Sequence, residues 1–182
     1  MKTISSRIVY ENRWMRVRED AIERADGTAG IYGVIEKPDF ALIIPIEEEH
    51  VYLVEQLRYP VGARFLEFPQ GTWEQNPTAD PADVARGELQ EETGLLADRM
   101  DYLGHLYIAY GMSNQGFHIF RATGLTQGEP SLEPEEQDLT VKRVTIAEFE
   151  SMIQSGGIKD AGTISAWMLL KMYEARPGGE RI

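Results

Sequence analysis

Cysteine is absent from all 182 residues. That excludes disulfides, thiol nucleophiles and thiolate zinc sites, and it fits a cytoplasmic setting. Long apolar runs are missing too. No stretch approaches the roughly 20 residues a membrane span needs, and Met1-Lys2-Thr3 is not followed by a signal-peptide core. Positive charge is scarce: 18 Lys and Arg stand against 30 Asp and Glu, a net charge of −12. This argues against nucleic-acid binding, which wants a basic face, and against anionic membranes. An acidic protein can still bind an anionic substrate where a metal and a few local cations offset the charge. A hydrophobic content of 42% supplies a sizeable core. The length suits one domain with room for a small appendage.

The chain opens with alternating segments that read as antiparallel strands over residues 8–34. Ala25-Asp26-Gly27-Thr28 reads as a type I′ hairpin turn. A hairpin alone is marginal in water, so this unit is expected to pack on another surface. The apolar run 40–46 reads as a buried strand, followed by strands over 51–56 and 64–68. A helix spans the eighties. Strands follow over 100–107, 116–122 and 139–144, with 123–136 a polar loop. A short helix over 146–155 ends at Gly156-Gly157. Asp160 leads a last helix carrying Ile164, Met168 and Met172 at i+4 spacing. Strands on both sides of a helix, with more helices at the end, point to a sheet between helical layers.

The central helix carries the chemistry. Glu88, Glu91 and Glu92 fall at i, i+3 and i+4, one face of a helix. Asp80 suits its cap, Pro81 its first turn, Asp83 the place of a capping-box acid, and Gly94 its left-handed stop. Three carboxylates there repel one another and lie at the end where the helix dipole disfavours anions. A hard divalent cation removes the penalty, because Mg²⁺ takes oxygen ligands and binds substrate phosphates. The competing reading is a solvated acidic face. Upstream, Gly71 allows close backbone approach, or is a plain turn glycine. Arg58 offers a bidentate fork for phosphate, or a surface ion pair. His50, His105 and His118 show no ligand spacing and read as turn or strand residues.

Glu88-Leu89-Gln90-Glu91-Glu92-Thr93-Gly94-Leu95 resembles the second half of the Nudix box, G-x5-E-x7-R-E-U-x-E-E-x-G-U with U aliphatic. Leu66-Glu67-Phe68-Pro69-Gln70-Gly71 resembles the strand and turn that enter it, and Arg58-Tyr59-Pro60-Val61-Gly62 resembles the ADP-ribose pyrophosphatase branch. The box is degenerate. Gly87 stands where the pattern has Arg, Ala79 falls where it has its first Glu, and the spacer from Gly71 is two residues longer. In the family those two residues support the metal-binding helix, so their joint loss reads as a remodelled support.

The resemblance implies an α+β protein, a Nudix α/β/α sandwich with a mixed sheet. It also implies a small N-terminal antiparallel sheet over residues 1–38 that serves dimerisation, and a hydrolase domain over 39–182. The implied function is hydrolysis of the pyrophosphate bond of ADP-ribose or a nucleotide sugar. The alternative is a weak or inactive nucleotide-binding sensor on the same scaffold. The implied metal is Mg²⁺, with Mn²⁺ the other candidate, held by Glu88, Glu91, Glu92 and the Gln70 carbonyl. Glu91 also serves as a bridging or water-orienting catalytic group. Glu135 and Glu136 are the candidate general bases. Arg58, Glu67, Trp14 and Tyr110 are the candidate substrate contacts, Trp14 from the partner subunit of a homodimer. Tyr110 takes about the place of a proline usual in the ADP-ribose branch.

Overall fold

The computed structural model describes residues 1–73, 76, 78–132 and 137–175. Strands β1 (Lys2–Glu11), β2 (Arg16–Glu23) and β3 (Ala29–Glu36) form an antiparallel sheet in that order. β1 is exposed along its whole length. The turn from β2 to β3 is not the expected type I′, which needs two consecutive residues at positive φ. Gly27 has φ 81°, but Asp26 does not join it there. Instead Asp26 Oδ1 accepts from the Thr28 amide at 3.0 Å and its hydroxyl at 2.7 Å. The Gly27 N–H closes onto Arg24 O at 2.9 Å. The aspartate braces a longer loop, in which one left-handed glycine suffices.

The main sheet is mixed. β4 (Phe40–Glu47) runs parallel to β9 (Gly116–Gln127) and antiparallel to β5 (His50–Arg58). The order is β10-β5-β4-β9-β8, with β8 at Leu95–Tyr107 and β10 at Thr140–Thr145. Two short strands, β6 (Ala63–Glu67) and β7 (Gln70–Gly71), pair with β5 and β4. Residues 123–127 read as loop by composition, yet β9 continues through them, pairing Ala97 with Leu125 and Leu95 with Gln127. Backbone pairing along β8 outweighs the polar side chains and Gly124, and Leu125 packs against the core cluster under α1.

β4 faces both cores by its two-residue alternation. Ala41 and Ile43 meet Val84, Ala85 and Leu89 of α1 (Pro81–Thr93). Leu42 and Ile44 meet the other cluster, with Phe149 of α2 (Ile146–Ser155) and Trp167 and Leu170 of α3 (Ala161–Glu174). Helices therefore cover both faces of the sheet. The buried side of α3 is Thr163, Ala166, Trp167 and Leu170. Met168 and Met172 of the apolar i+4 row are more than half exposed. Among the described residues no helix is long and apolar enough to cross a membrane.

Candidate active site

α1 begins and ends as its residues dictate. Asp80 Oδ1 accepts the Ala82 N–H at 2.8 Å, and Gly94, at φ 73°, returns its N–H to Gln90 O at 2.8 Å. Val84, Ala85 and Leu89 seat one side on the sheet, which turns the acids toward β7. Glu88 and Glu92 are only 6% and 1% exposed, and Glu91 is half-buried. Glu92 Oε2 accepts the backbone N–H of Gln70 at 3.0 Å. The Glu88 carboxylate lies where a Cβ on Gly71 would be. The structure thus brings together Gln70, Gly71, Glu88 and Glu92.

The chain around this cluster is tied down. The Phe68 N–H donates to Thr163 Oγ1 at 3.0 Å, and Gln70 Nε2 reaches Asp160 Oδ2 at 3.4 Å. Asp160 caps α3 by accepting the Thr163 N–H at 2.7 Å. The turn that carries Gln70 is held between two helix ends. Neighbouring buried carboxylates are costly unless a cation offsets them. The donor set is all oxygen, which suits a hard divalent ion. The residues present fit such a metal.

Beside the cluster lies a cavity of about 540 Å³, lined among others by Phe40, Arg58, Glu67, Gln70, Lys159 and Asp160. That volume lies in the range of small-molecule sites. Glu67 is 2% exposed. Arg58 Nε donates to Glu67 Oε2 at 3.1 Å, Arg58 also donates to Oε1, and Gln56 Nε2 donates to Oε1 at 3.0 Å. Burial pushes the Glu67 carboxyl above its usual range, Asp160 adds to the rise, and Arg58 pulls against it. Burial opposes the Arg58 charge, but Glu67, Glu92 and Asp160 together raise its pKa. One guanidinium therefore couples the cavity to the acidic face of α1. Lys159 is a cavity cation that sequence reasoning did not single out. Its only signal was its place before the Asp160 cap.

The remaining candidates lie elsewhere. Trp14, 45% exposed beneath the Arg13 guanidinium at 4.0 Å, lines a groove with Arg16, Glu36 and Asn114. Tyr110, 85% exposed, lines a third hollow with Tyr32, Tyr107 and Met112. Within one chain neither joins the Arg58 cavity lining. Glu135 and Glu136 lie outside the described residues. The two departures from the box both lie near Trp73. The space a side chain at Gly87 would need is filled by the Trp73 ring, and Ala79 packs with Trp73 in the cluster under α1.

Comparison with known proteins finds matches to both parts of the chain. A NUDIX domain model matches residues 37–167, and a nucleoside diphosphate sugar hydrolase N-terminal domain model matches residues 1–35. The methanol dehydrogenase activator of Bacillus methanolicus is 27% identical over 176 residues, 96% of this chain and 94% of that protein. An ADP-ribose pyrophosphatase of Bacillus subtilis is 26% identical over 176 residues, again 96% and 94%. The crystal structure of an ADP compounds hydrolase superposes with a TM-score of 0.84 at 21% identity, covering 99% of this chain and 98% of that one.

Proposed function

Because this chain belongs to the Nudix family, we propose that it hydrolyses the pyrophosphate bond of a nucleoside diphosphate derivative, ADP-ribose or a nucleotide sugar. Water adds to one phosphorus and the bridging oxygen leaves with the other, giving a nucleoside monophosphate and a phosphorylated product. The observation that carries this reading is the buried Glu88–Glu92 pair facing the Gln70-Gly71 turn. The substrate class is that of relatives which match nearly full length.

Glu88, Glu91, Glu92 and the Gln70 carbonyl would hold Mg²⁺ or Mn²⁺. Such an ion, when bound, neutralises phosphate charge and lowers the pKa of water. The chain does the rest. The Gln70 N–H fixes the Glu92 carboxylate, and Gly71 leaves room for Glu88. Arg58, oriented by Glu67, and Lys159 draw the diphosphate into the cavity. Glu135 or Glu136 takes the proton of the attacking water.

The same reading takes residues 1–38 as a dimerisation unit, 39–182 as the hydrolase domain, and the enzyme as a cytoplasmic homodimer. Ile4 and Ile31, 57% and 70% exposed on the N-terminal sheet, support the interface. Trp14 then meets substrate across that interface, and Tyr110 meets it from the loop 110–115. A mass of twice the chain in solution light scattering is expected, and a monomer would end that assignment.

The decisive experiment is release of nucleoside monophosphate from ADP-ribose and a panel of nucleotide sugars with Mg²⁺. Turnover should stop with a chelator and with Glu92→Gln. Tight nucleotide binding without turnover in the wild-type protein would replace the hydrolase with a sensor.

A further inference from the structure

His105 and His118 stand directly opposite one another in the β8–β9 pairing, their ring centroids 4.7 Å apart. Asp39, just before β4, reaches between them. Its Oδ2 lies 2.8 Å from His105 Nε2 and 3.7 Å from His118 Nε2. The three ligand atoms fall within 4.8 Å of one another. From this geometry we propose a second metal site, separate from the acidic face of α1, that takes a borderline transition cation of the Zn²⁺ class. Two imidazoles and one carboxylate are a zinc-type donor set, whereas Mg²⁺ prefers oxygen alone.

The surroundings prepare these atoms. Asp39 Oδ1 accepts the Gly116 N–H at 2.7 Å, which holds Oδ2 toward the imidazoles. His118 Nδ1 lies 3.4 Å from the Tyr102 hydroxyl, and an Nδ1–H donated there leaves the Nε2 lone pair facing Asp39. A Cβ at Gly116 would overlap His105, so glycine there keeps the imidazole in place.

Ligand atoms about 2.0–2.1 Å from a tetrahedral ion lie roughly 3.3 Å apart. The observed 2.8 and 3.7 Å straddle that separation. The proton between His105 and Asp39 yields its place to the cation, moving to His105 Nδ1 or to solvent. No electron is transferred. His105 and His118 keep about a quarter of their side-chain surface accessible and Asp39 more. His118 and Asp39 also line a cleft of about 210 Å³ with Thr72, Trp73, Asn76 and Ala79. Entry and a fourth, exchangeable position are therefore available. Pro81 and Val84 at the start of α1 line the same cleft. Glu88 and Glu92 instead face the Gln70-Gly71 turn. Bound metal pins the segment that joins the N-terminal sheet to β4 onto the β8–β9 hairpin.

The test is calorimetric titration of Zn²⁺ into the full chain with Mg²⁺ saturating. One Zn²⁺ per chain is expected in the wild type and in Glu88→Gln and Glu92→Gln. His118→Asn and His105→Asn, checked for folding by circular dichroism, should weaken it by about tenfold or more, at least the loss seen for outer-shell partners. Co²⁺ in the wild-type chain should give the intense visible absorption of a four-coordinate site, a readout that needs no variant. The proposal is overturned by no Zn²⁺ uptake under saturating Mg²⁺. It is equally overturned by uptake that disappears in Glu88→Gln and survives His118→Asn, or by a weak octahedral Co²⁺ spectrum.

Discussion

Gly71 and Glu88 occupy one space: the carboxylate of the helix fills the volume that a side chain on the turn would need. Gly71→Ala must therefore displace Glu88, the turn, or both. The clash falls on the far end of the Glu88 side chain, while Gln70 is fixed through Glu92 and Asp160. Misplacing a reacting group by an ångström can cost a hundredfold in rate. Gly71→Ala is expected to lose about tenfold or more in kcat/KM with nucleoside monophosphate release as the assay. Unchanged turnover would show that Glu88 does not need its present seat.

The degenerate part of the box yields a stability prediction. Ala is favoured over Gly in a helix by about 1 kcal/mol. At Gly87, however, a Cβ would run into the Trp73 ring, and overpacking costs about 1–3 kcal/mol. The second effect wins, so Gly87→Ala should destabilise the chain by about 1 kcal/mol in urea unfolding. In a Trp73→Ala background the sign should reverse, because only the helix preference remains. A cycle without coupling between the two positions would mean that the tryptophan does not occupy the missing arginine's place.

How far the sequence carried can be judged on particular residues. Asp80, Gly94, Gly156 and Asp160 marked helix ends through local rules of capping and backbone conformation, and the helices start and stop there. The Glu88–Glu92 face was legible because helical spacing is local. Residues 123–127 were not, because their strand exists only through pairing with β8. His105 and His118 are thirteen positions apart and meet only once the hairpin register is known, and Asp39 arrives from a third segment. Lys159 joins the cavity for the same reason, through the placement of α3. Contacts between distant segments leave no periodic trace.

Arg58 and Glu67 give a pH-dependent prediction. Glu67 has its carboxyl pKa raised by burial even with Arg58 opposing the rise. A carboxyl with a raised folded pKa favours the fold fully below its unfolded value, about 4.3. That contribution is lost as pH climbs through the folded value. Arg58→Met removes the opposing charge, raises the carboxyl further and leaves a buried anion unpaired at alkaline pH. Breaking such a pair costs about 3 kcal/mol, the low end applying because the Arg58 side chain is 40% exposed. The loss of stability should therefore be clearly larger at pH 8 than at pH 5 in urea titrations. Equal losses at both would place the cost in packing instead of charge.

Glu92→Gln separates stability from catalysis. Glu92 shares a helix face with Glu88 and Glu91, at the end of α1 where the dipole already disfavours anions. Glutamine keeps an oxygen acceptor for the Gln70 N–H while removing one charge from that face. Each like-charge pair at this spacing costs about 0.2–0.5 kcal/mol on an exposed helix, and burial adds to it. Without metal, the variant should melt higher than the wild type by a degree or more, on the order of 0.5 kcal/mol for a domain this size. With Mg²⁺ the ranking should invert, because only the wild type gains ligand stabilisation. Loss of several kcal/mol of transition-state stabilisation corresponds to a fall of about a hundredfold or more in kcat. A variant that is both inactive and less stable without metal would mean that Glu92 is held as a structural anion, and that the acidic face is not under electrostatic strain.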